Sequence, residues 1–368
     1  MMLTEAAKKM PEHISDVIVL DPTKNCPAAK VGARQIVADF SDKNAIVELS
    51  LQSDIITYEI ESGNADVLQS IKNAIPINPD PETLRIIQDK FLQKKFLQEN
   101  GITVTDFVSV TSVSDIEEKI VSFGYPAMLK IRRDAYDGRG NYLIETKEQI
   151  KEAYNKFEGK SIMIEKNVNF QKEISVIAAR NTKGEIAIYQ PVENIHEESI
   201  LKMTIAPARI NKNISQEAER IAQKVMERFH GAGVFGIEMF VTEDDRVLIN
   251  EIAPRVHNSG HHTLQSSVTS QFEQHIRAIL GLKLGKTDLL HYTVMCNILG
   301  PSNIQGRYMP IEIDQNEGIF LKMYLKDEVK PKRKMGHFNV VDIHDTKDVG
   351  SLIKKAEEIR KSIKFQNP

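Results

Sequence analysis

The chain is poor in cysteine, lacks a long apolar run and carries little net charge. Its two cysteines, Cys26 and Cys296, lie far apart, so there is neither a disulfide framework nor a thiolate metal site, and a reducing cytosol is the expected compartment. No apolar run approaches the roughly 18 residues of a membrane-spanning helix, and the N-terminus lacks the apolar core of a signal peptide. A net charge of −3 argues against a general nucleic-acid binder.

A length of 368 residues predicts two or three domains. The first ninety residues alternate short apolar strands with helical segments, which is typical of a parallel sheet covered on both faces. The predicted strands here are 17–20, 36–40 and 54–60, with a helix at 43–51. Prolines between residues 76 and 81 indicate a boundary, and a long helix is predicted over residues 82–100. Further strands are predicted at 293–295, 318–321 and 338–341, followed by a lysine-rich helix at 349–363.

Residues 236–252 form two apolar segments around an acidic turn, which predicts a β-hairpin. With the turn centred between Asp244 and Asp245, Glu238 lies opposite Glu251 on the same face, with Cβ atoms roughly 5 Å apart. Two facing carboxylates destabilise an apolar hairpin unless they share a proton or bind a hard divalent cation. Because Mg²⁺ is usually held by one or two carboxylates and substrate phosphates, the pair suggests a Mg–nucleotide site. The alternative is a coincidence of register.

Two features nearer the N-terminus could bind phosphate. Lys130 lies in the apolar strand 127–131, where it needs an anionic partner unless it faces solvent or an edge. The segment 132–141 combines Gly138 and Gly140 with arginines at 132, 133 and 139, so backbone N–H groups and cations could face a phosphate. The alternative is an ordinary Asp-Gly turn.

A histidine-rich segment, residues 250–263, follows the hairpin. His257 and His261 have the spacing of zinc ligands on a helix, but the proline and glycine of this segment argue against a helix. A polar loop that contacts a substrate is the better interpretation. The basic run at 330–334 is either a solvated face or a binding site for one phosphate.

Three motifs, at residues 136–141, 250–261 and 333–337, closely resemble the 5-(carboxyamino)imidazole ribonucleotide synthase family of ATP-grasp ligases in purine synthesis. The resemblance covers essentially the whole chain. It implies an ATP-grasp fold of α/β and α+β class with three domains. These are an N-terminal parallel-sheet (preATP-grasp) domain at 1–88, an ATP-grasp domain at 89–285 with a lid at about 125–180, and a small β-rich C-terminal domain at 286–368.

The resemblance implies an ATP-dependent carbon–nitrogen ligase. Bicarbonate would carboxylate the amine of aminoimidazole ribonucleotide through carboxyphosphate, with ADP and phosphate as the other products. ATP would be a co-substrate, and Mg²⁺ or Mn²⁺ would be the metal. The resemblance also suggests a cytoplasmic homodimer whose other partners are these small molecules, with no nucleic acid and no membrane.

The resemblance further implies roles for individual residues. Glu238 and Glu251 would bind the metal. The nucleotide would contact Lys90, Lys130, Ala135, Tyr136, Gly138, Gly140, Asn141, Glu165, Lys166, Asn167, Val168, Glu173, His196, Asn250 and Glu251. The ribonucleotide would contact Glu59, Glu61, Tyr136, Arg255, His257, Asn258, Ser259, Lys330 and Arg333. Asp137 would orient the substrate amine, and Arg139 and Lys334 would hold carboxyphosphate.

The start of the chain departs from the family pattern. Family members usually begin with a β-strand and a glycine-rich turn, whereas this sequence begins inside the helix that follows them. We expect either a native protein with an upstream start, which we favour, or a short form that is unstable or inactive. Ala135, Lys90, Lys330 and Lys332 are smaller departures.

Three other functions are alternatives. One is a different ATP-grasp ligase, such as formate-dependent glycinamide ribonucleotide transformylase. Another is an inactive ATP-binding protein. A nicotinamide-dependent dehydrogenase is disfavoured, because no Gly-x-Gly-x-x-Gly turn follows a predicted strand.

Overall fold

The computed structural model describes residues 1–134, 140–309, 311, 313, 315 and 318–366. Its helices are α1 (Met2–Lys8), α2 (Pro27–Lys30), α3 (Lys43–Leu51), α4 (Ala65–Ile71), α5 (Pro81–Ile87), α6 (Lys90–Glu99), α7 (Val113–Ile120), α8 (Ile150–Lys156), α9 (Lys212–Arg228), α10 (Thr263–Ser266), α11 (Gln271–Ile279) and α12 (Val349–Ser362). Short 3₁₀ helices lie at Lys147–Gln149 and Asn258–Gly260. None of the helices described is long and apolar enough to cross a membrane.

The strands divide into three sheets. They are β1 (Ile18–Leu20), β2 (Arg34–Ile36), β3 (Phe107–Val110), β4 (Ala127–Ile131), β5 (Asn141–Ile144), β6 (Ile162–Lys166), β7 (Phe170–Arg180), β8 (Ile186–Ile188), β9 (Val192–Glu197), β10 (Ile200–Ala206), β11 (Gly233–Thr242), β12 (Val247–Ala253), β13 (Thr293–Leu299), β14 (Ile319–Met323) and β15 (Lys334–Val341). β1 and β2 form a two-stranded parallel sheet, which confirms the parallel pairing expected near the N-terminus. The helix predicted at residues 43–51 is also confirmed, as α3.

Three predictions for the first hundred residues are wrong. The strand predicted at 36–40 ends at Ile36, because β2 covers Arg34–Ile36 and the chain then turns, with the Asp39 carboxylate accepting a hydrogen bond from the backbone N–H of Ser41. The expected strand at 54–60 is absent from the described structure, where Ile56 makes only an isolated bridge to Ile77. Prolines flank Ile77 closely and provide no N–H group, so a longer ladder cannot form there. The long helix predicted at 82–100 is two helices, α5 and α6, because the Asp89 carboxylate accepts from two backbone N–H groups and starts a new helix.

The central sheet contains nine strands in the order β12-β11-β7-β9-β10-β13-β15-β14, with β8 paired to β7. The three strands expected after residue 289 are confirmed as β13, β14 and β15. β10 pairs with β13, with Met203 opposite Cys296, so the C-terminal strands continue the sheet that carries the acidic hairpin.

Alternation along β7 and β11 separates the apolar face that packs on α9 from an opposite face that is polar around Glu238. Further along, this opposite face carries Ile177 and Val234, which pack with α11. Val176 on β7 and Ile237 on β11 are fully buried and pack with the apolar residues of α9. Ser175 and Glu238, their neighbours in sequence, point to the opposite face, where they are cross-strand partners. The period-two pattern therefore fixes which face carries the polar groups.

A smaller antiparallel sheet, β3-β6-β4-β5, covers the polar face. Leu129 and Ile164 pack in its own core with α7 and α8. Lys130 and Glu165, one residue further along, line the space between the two sheets. That space is a cleft of about 1320 Å³, which we call the cleft from here on.

Candidate active site

The acidic pair lies on the floor of the cleft. Glu238 on β11 is the cross-strand partner of Glu251 on β12, as predicted. The register nearer the turn differs from the prediction, because Met239 is opposite Ile249 there. An extra residue in β12, Asn250, then shifts the register by one position and brings Glu251 opposite Glu238. Such a bulge bends the strand and re-aims the residue that follows it.

Lys90, at the start of α6, compensates part of the negative charge. Its Nζ atom lies 2.5 Å from Oε2 of Glu251. Burial opposes ionisation of Glu251, but the ammonium of Lys90 outweighs it and lowers the pKa of this carboxyl. Burial and the charge of Glu251 raise the pKa of Glu238 to about 6. The two carboxylates therefore titrate differently although they face each other.

The donor set of the pair fits a hard divalent cation. Oxygen ligands from Glu238 and Glu251 are of the type that Mg²⁺ and Mn²⁺ prefer. In the parts of the chain that the structure describes, no group of three or more acidic, histidine or cysteine side chains forms a metal site. A cation at the pair would thus need further ligands from a bound molecule such as a nucleotide.

A buried ion-pair network lies on the opposite wall of the cleft. Lys130 Nζ is 2.8 Å from Oε2 of Glu165, which provides the anionic partner that its sequence context required. Lys94 Nζ lies 3.4 Å from the other oxygen of Glu165, and both of these side chains are almost fully buried. Burial lowers the pKa of Lys94. The Glu165 carboxylate is therefore shared between Lys130, which lines the cleft, and Lys94, which is buried next to the cleft.

The arginines that precede the glycine loop are not free counter-ions for a phosphate. Arg132 Nη2 and Arg133 Nε lie 2.7 and 3.2 Å from Oδ2 of Asp89. Asp89 is buried and also caps α6. Asp89 therefore compensates both arginines in this structure, and their role as counter-ions of a phosphate stays a prediction.

One end of the cleft combines a flat apolar surface with a hydrogen-bonded histidine. Phe170 and Phe240 stack with their ring centroids 4.7 Å apart. His196 Nδ1 is hydrogen-bonded to Glu173. Burial acts against protonation of His196, but this carboxylate outweighs it and raises the pKa of the imidazole. An aromatic surface beside polar groups suits a heterocyclic base and its sugar.

The other end of the cleft carries a denser set of charges. Arg255 Nε lies 2.7 Å from Oε1 of Glu61, and His257 Nε2 lies 3.3 Å from Oε1 of Glu238. Lys326 Nζ donates a hydrogen bond to the carbonyl of Lys334. Burial and the nearby cations lower the pKa of Lys326 to about 8. This end can bind an anion and orient a polar group next to it.

Most of the predicted site residues that are described line the cleft. They are Glu59, Glu61, Lys90, Lys130, Gly140, Asn141, Glu165, Lys166, Asn167, Val168, Glu173, His196, Glu238, Asn250, Glu251, Arg255, His257, Asn258 and Lys334. Ala135, Tyr136, Asp137, Gly138 and Arg139 lie outside the described residues.

Three predicted substrate residues do not line the cleft. Ser259 belongs to the histidine-rich segment, and its side chain is fully buried. Lys330 and Arg333 line a second cavity of about 1270 Å³ instead. Arg333 directly precedes β15 and Lys334 begins it, so consecutive side chains point to opposite sides and only the lysine reaches the cleft.

Two lysines near the cleft were not predicted. Lys94 lies on the buried side of α6 with Leu97, at a spacing of three residues, so helical periodicity could have identified a lysine in an apolar position. Lys326 follows the apolar strand β14 closely, and no spacing in the sequence indicates that it faces the same cleft as Glu238.

Comparisons with known proteins agree with this architecture. Residues 1–88 match the ribonucleotide synthetase preATP-grasp domain, residues 95–272 match the ATP-grasp domain, and residues 293–348 match the phosphoribosylaminoimidazole carboxylase C-terminal domain. The chain is 39% identical to N5-carboxyaminoimidazole ribonucleotide synthase of Bacillus subtilis, over 91% of this chain and 87% of the relative.

A solved structure and a longer relative are also similar. The crystal structure of N5-carboxyaminoimidazole ribonucleotide synthetase from Thermotoga maritima superposes with a TM-score of 0.89 at 42% identity, covering 100% of this chain and 96% of that one. Phosphoribosylaminoimidazole carboxylase of Ogataea methanolica is 39% identical over 92% of this chain. The chain spans 64% of the length of that relative.

Proposed function

Since the chain belongs to the N5-carboxyaminoimidazole ribonucleotide synthase family of ATP-grasp ligases, we propose that it carboxylates the amine of 5-aminoimidazole ribonucleotide. ATP and bicarbonate would be the co-substrates, and ADP and phosphate the other products. The observation that carries the proposal is the facing pair Glu238 and Glu251 beside Lys90 on the cleft floor. This arrangement suits a metal-bound triphosphate.

The nucleotide would lie between the two sheets. Phe240 and Phe170 offer an apolar surface for the base, and Glu173 with His196 offers hydrogen-bond partners for the sugar. Lys90 and Lys130 would contact the phosphates. Both ammonium groups are held by carboxylates in the cleft, so an incoming phosphate would exchange one anionic partner for another.

Mg²⁺ or Mn²⁺ would be held by Glu238 and Glu251, with Asn250 next to them. When bound, the ion neutralises charge on the phosphates and polarises the transferred phosphoryl group. Both carboxylates must then be ionised, which the raised pKa of Glu238 opposes in the protein alone. We therefore expect tighter metal binding above about pH 6.

The chemistry follows from charge and enclosure. A bicarbonate oxygen attacks the γ-phosphorus in line, its bond to ADP breaks, and Lys90 and Lys130 stabilise the charge that spreads over the phosphoryl oxygens. The product, carboxyphosphate, breaks down to CO₂ and phosphate, so the covering sheet must exclude water. The substrate amine then attacks CO₂ and loses a proton, which gives the carbamate. Asp137 would orient that amine, and Arg139 and Lys334 would hold carboxyphosphate.

The ribonucleotide would occupy the charged end of the cleft. Lys326 is a cation that could hold its phosphate. Glu59, Glu61, Arg255, His257 and Asn258 would contact the ribose and the ring. Proximity then turns the attack on CO₂ into a reaction between neighbouring groups.

Phosphate release from ATP tests the proposal when each co-substrate is omitted in turn. We expect turnover that needs both bicarbonate and aminoimidazole ribonucleotide, and a loss of about 10²-fold or more in Glu251→Gln. Glu243→Gln, in the exposed turn of the same hairpin, is the matched control. Turnover with formate and glycinamide ribonucleotide would instead indicate the transformylase, and ATP binding without turnover would indicate an inactive form.

We also propose that the chain forms a homodimer, because closed two-fold pairs are the commonest arrangement of soluble oligomers. Light scattering of the purified full chain tests this directly. A mass near the 41.6 kDa of one chain would contradict it.

A further inference from the structure

A chain of buried hydroxyl and amide groups lies next to the acidic pair, because one of its members, Ser175, is the cross-strand partner of Glu238. The roles proposed above leave this chain unused. Thr204 Oγ1 donates to Asn194 Oδ1 over 3.0 Å, and Asn194 Nδ2 donates to Ser175 Oγ over 3.0 Å. Ser175 Oγ donates to Ser259 Oγ over 2.7 Å. All four side chains are buried. We call these four residues the hydroxyl–amide relay.

The relay ends at the imidazole of His257. Ser259 Oγ lies 2.9 Å from Nδ1 of that ring. Because Ser259 Oγ accepts the hydrogen of Ser175, its own hydrogen is available for Nδ1. The backbone N–H of Ser259 also donates to Nδ1, over 3.4 Å. Two donors aimed at Nδ1 require that this nitrogen carries no proton.

The ring proton is therefore on Nε2, the atom that faces the acidic pair. Nε2 lies 3.3 Å from Oε1 of Glu238. In this tautomer a neutral imidazole donates a hydrogen bond to the carboxylate.

We propose that Thr204, Asn194, Ser175 and Ser259 are positioning residues that hold His257 as the Nε2–H tautomer, so that its ring orients the Glu238 carboxylate for the metal. The second half of this proposal rests on the proposed function. Groups that hydrogen-bond to metal ligands fix the orientation of those ligands and strengthen metal binding. Ser259, expected from the sequence to touch the substrate, would thus act through His257.

Nitrogen NMR of the full chain tests the tautomer without any ligand. With ¹⁵N-labelled histidine, and with signals assigned by comparison with His257→Gln, we expect a protonated Nε2 and an unprotonated Nδ1 in wild type. Ser259→Ala and Ser175→Ala should each shift both signals towards a mixture of tautomers. Ser266→Ala is the matched control, because Ser266 is also fully buried and lies 2.7 Å from a histidine Nδ1, that of His262.

Binding of Mn²⁺ in the presence of ADP, followed by electron paramagnetic resonance, tests the effect on the metal. We expect Ser259→Ala to weaken Mn²⁺ binding about 10-fold, and Ser266→Ala to leave it unchanged. A proton on Nδ1 in wild type, or an unchanged tautomer in both relay variants, would overturn the proposal. An equal loss of Mn²⁺ affinity in Ser266→Ala would overturn its metal part.

The outcome is separable from that of the proposed function. The NMR signals of wild type require no turnover, and they remain decisive even where a relay variant fails to fold. A chain with the expected tautomer but without bicarbonate-dependent phosphate release would contradict the carboxylation proposal and leave the relay intact.

Discussion

Gly236 lies directly against His257, so closely that a Cβ atom on Gly236 would be 2.4 Å from Cβ and 2.6 Å from Cγ of the histidine. Gly236 is in β11, two residues before Glu238, and its backbone is held on both sides by β7 and β12. Pairing with both neighbouring strands restricts any movement of Gly236 away from the His257 ring. The absence of a side chain at position 236 is therefore a condition for the contact between His257 and Glu238.

We predict that Gly236→Ala displaces the His257 ring and lowers carboxylation at least 10-fold, since outer hydrogen-bond partners of metal ligands typically contribute that much. The added methyl group should also cost about 1–3 kcal/mol of unfolding free energy. Steady-state kinetics and urea unfolding measure the two effects. Gly63→Ala is the control, because its Cβ would meet only Leu84 Cδ2, at 3.9 Å. Full activity in Gly236→Ala would contradict the role of this contact.

The acidic hairpin shows how much of the site can be predicted from residues that are close together in the sequence. Two apolar segments around an acidic turn predicted the hairpin, and the assumed centre of that turn placed Glu238 opposite Glu251, as the structure has it. The bulge at Asn250 could not be predicted in the same way. The other edge of β12 forms a bridge between Ile249 and Val104, far away in sequence, and that contact has no local signal.

The rest of the site depends on contacts between distant segments. The relay joins residues from β7, β9 and β10 to Ser259 in the histidine-rich segment 250–263. Each of the four is an ordinary polar residue in its own segment. Lys94, on α6, has its partner Glu165 on β6, far away in sequence. Sequence patterns predict which residues face inwards, but the pairing of inward-facing polar groups is set by tertiary packing.

His275 should make stability depend on pH. Its Nδ1 accepts from the backbone N–H of Val234 over 3.1 Å, and its Nε2 lies 2.7 Å from Thr57 Oγ1, so the native ring is neutral. Burial lowers its pKa from 6.5 to about 4. As the pH falls from about 6.5 to about 4, the unfolded chain binds a proton at this histidine and the native state does not. The free energy of unfolding therefore decreases by about 3 kcal/mol over the whole interval.

We therefore predict that His275→Gln is less stable than wild type at neutral pH, and that the difference becomes smaller as the pH falls towards about 4. Urea unfolding at several pH values measures it. His13→Gln, at an exposed position, should keep the pH dependence of wild type. Parallel stability curves for wild type and His275→Gln would exclude this role.

Lys94 and Glu165 should be strongly coupled in stability. Both are buried, and Lys94→Met removes one of the two ammonium groups that compensate the Glu165 carboxylate, so it should cost about 1–3 kcal/mol. A double variant with Glu165→Gln should cost about 1–3 kcal/mol less than the sum of the single variants.

Lys95 and Glu99 provide a matched comparison on the same helix. This pair is exposed, with Nζ and Oε1 3.8 Å apart, and its coupling should be no more than about 0.5 kcal/mol. Urea unfolding of both double-mutant cycles gives the two values. Equal coupling energies in the two pairs would show that burial does not determine how strongly Lys94 and Glu165 are coupled.

Lys326 provides the test of the charged end of the cleft. Charge-assisted hydrogen bonds contribute about 1.5–3 kcal/mol, so Lys326→Met should raise KM for aminoimidazole ribonucleotide about 10-fold or more and leave KM for ATP unchanged. Because the pKa of Lys326 is lowered to about 8, the free enzyme loses this cation as the pH rises through that value.

The kcat/KM for the ribonucleotide, which reports groups of the free enzyme, should therefore fall above about pH 8 in wild type. In Lys326→Met this decline should be absent, because the variant has no ammonium to lose. Lys354→Met, at an exposed lysine of α12, should retain both the wild-type KM and the decline. If Lys326→Met instead raised KM for ATP and for the ribonucleotide equally, this lysine would support the cleft as a whole, and the substrate phosphate would have to be bound elsewhere.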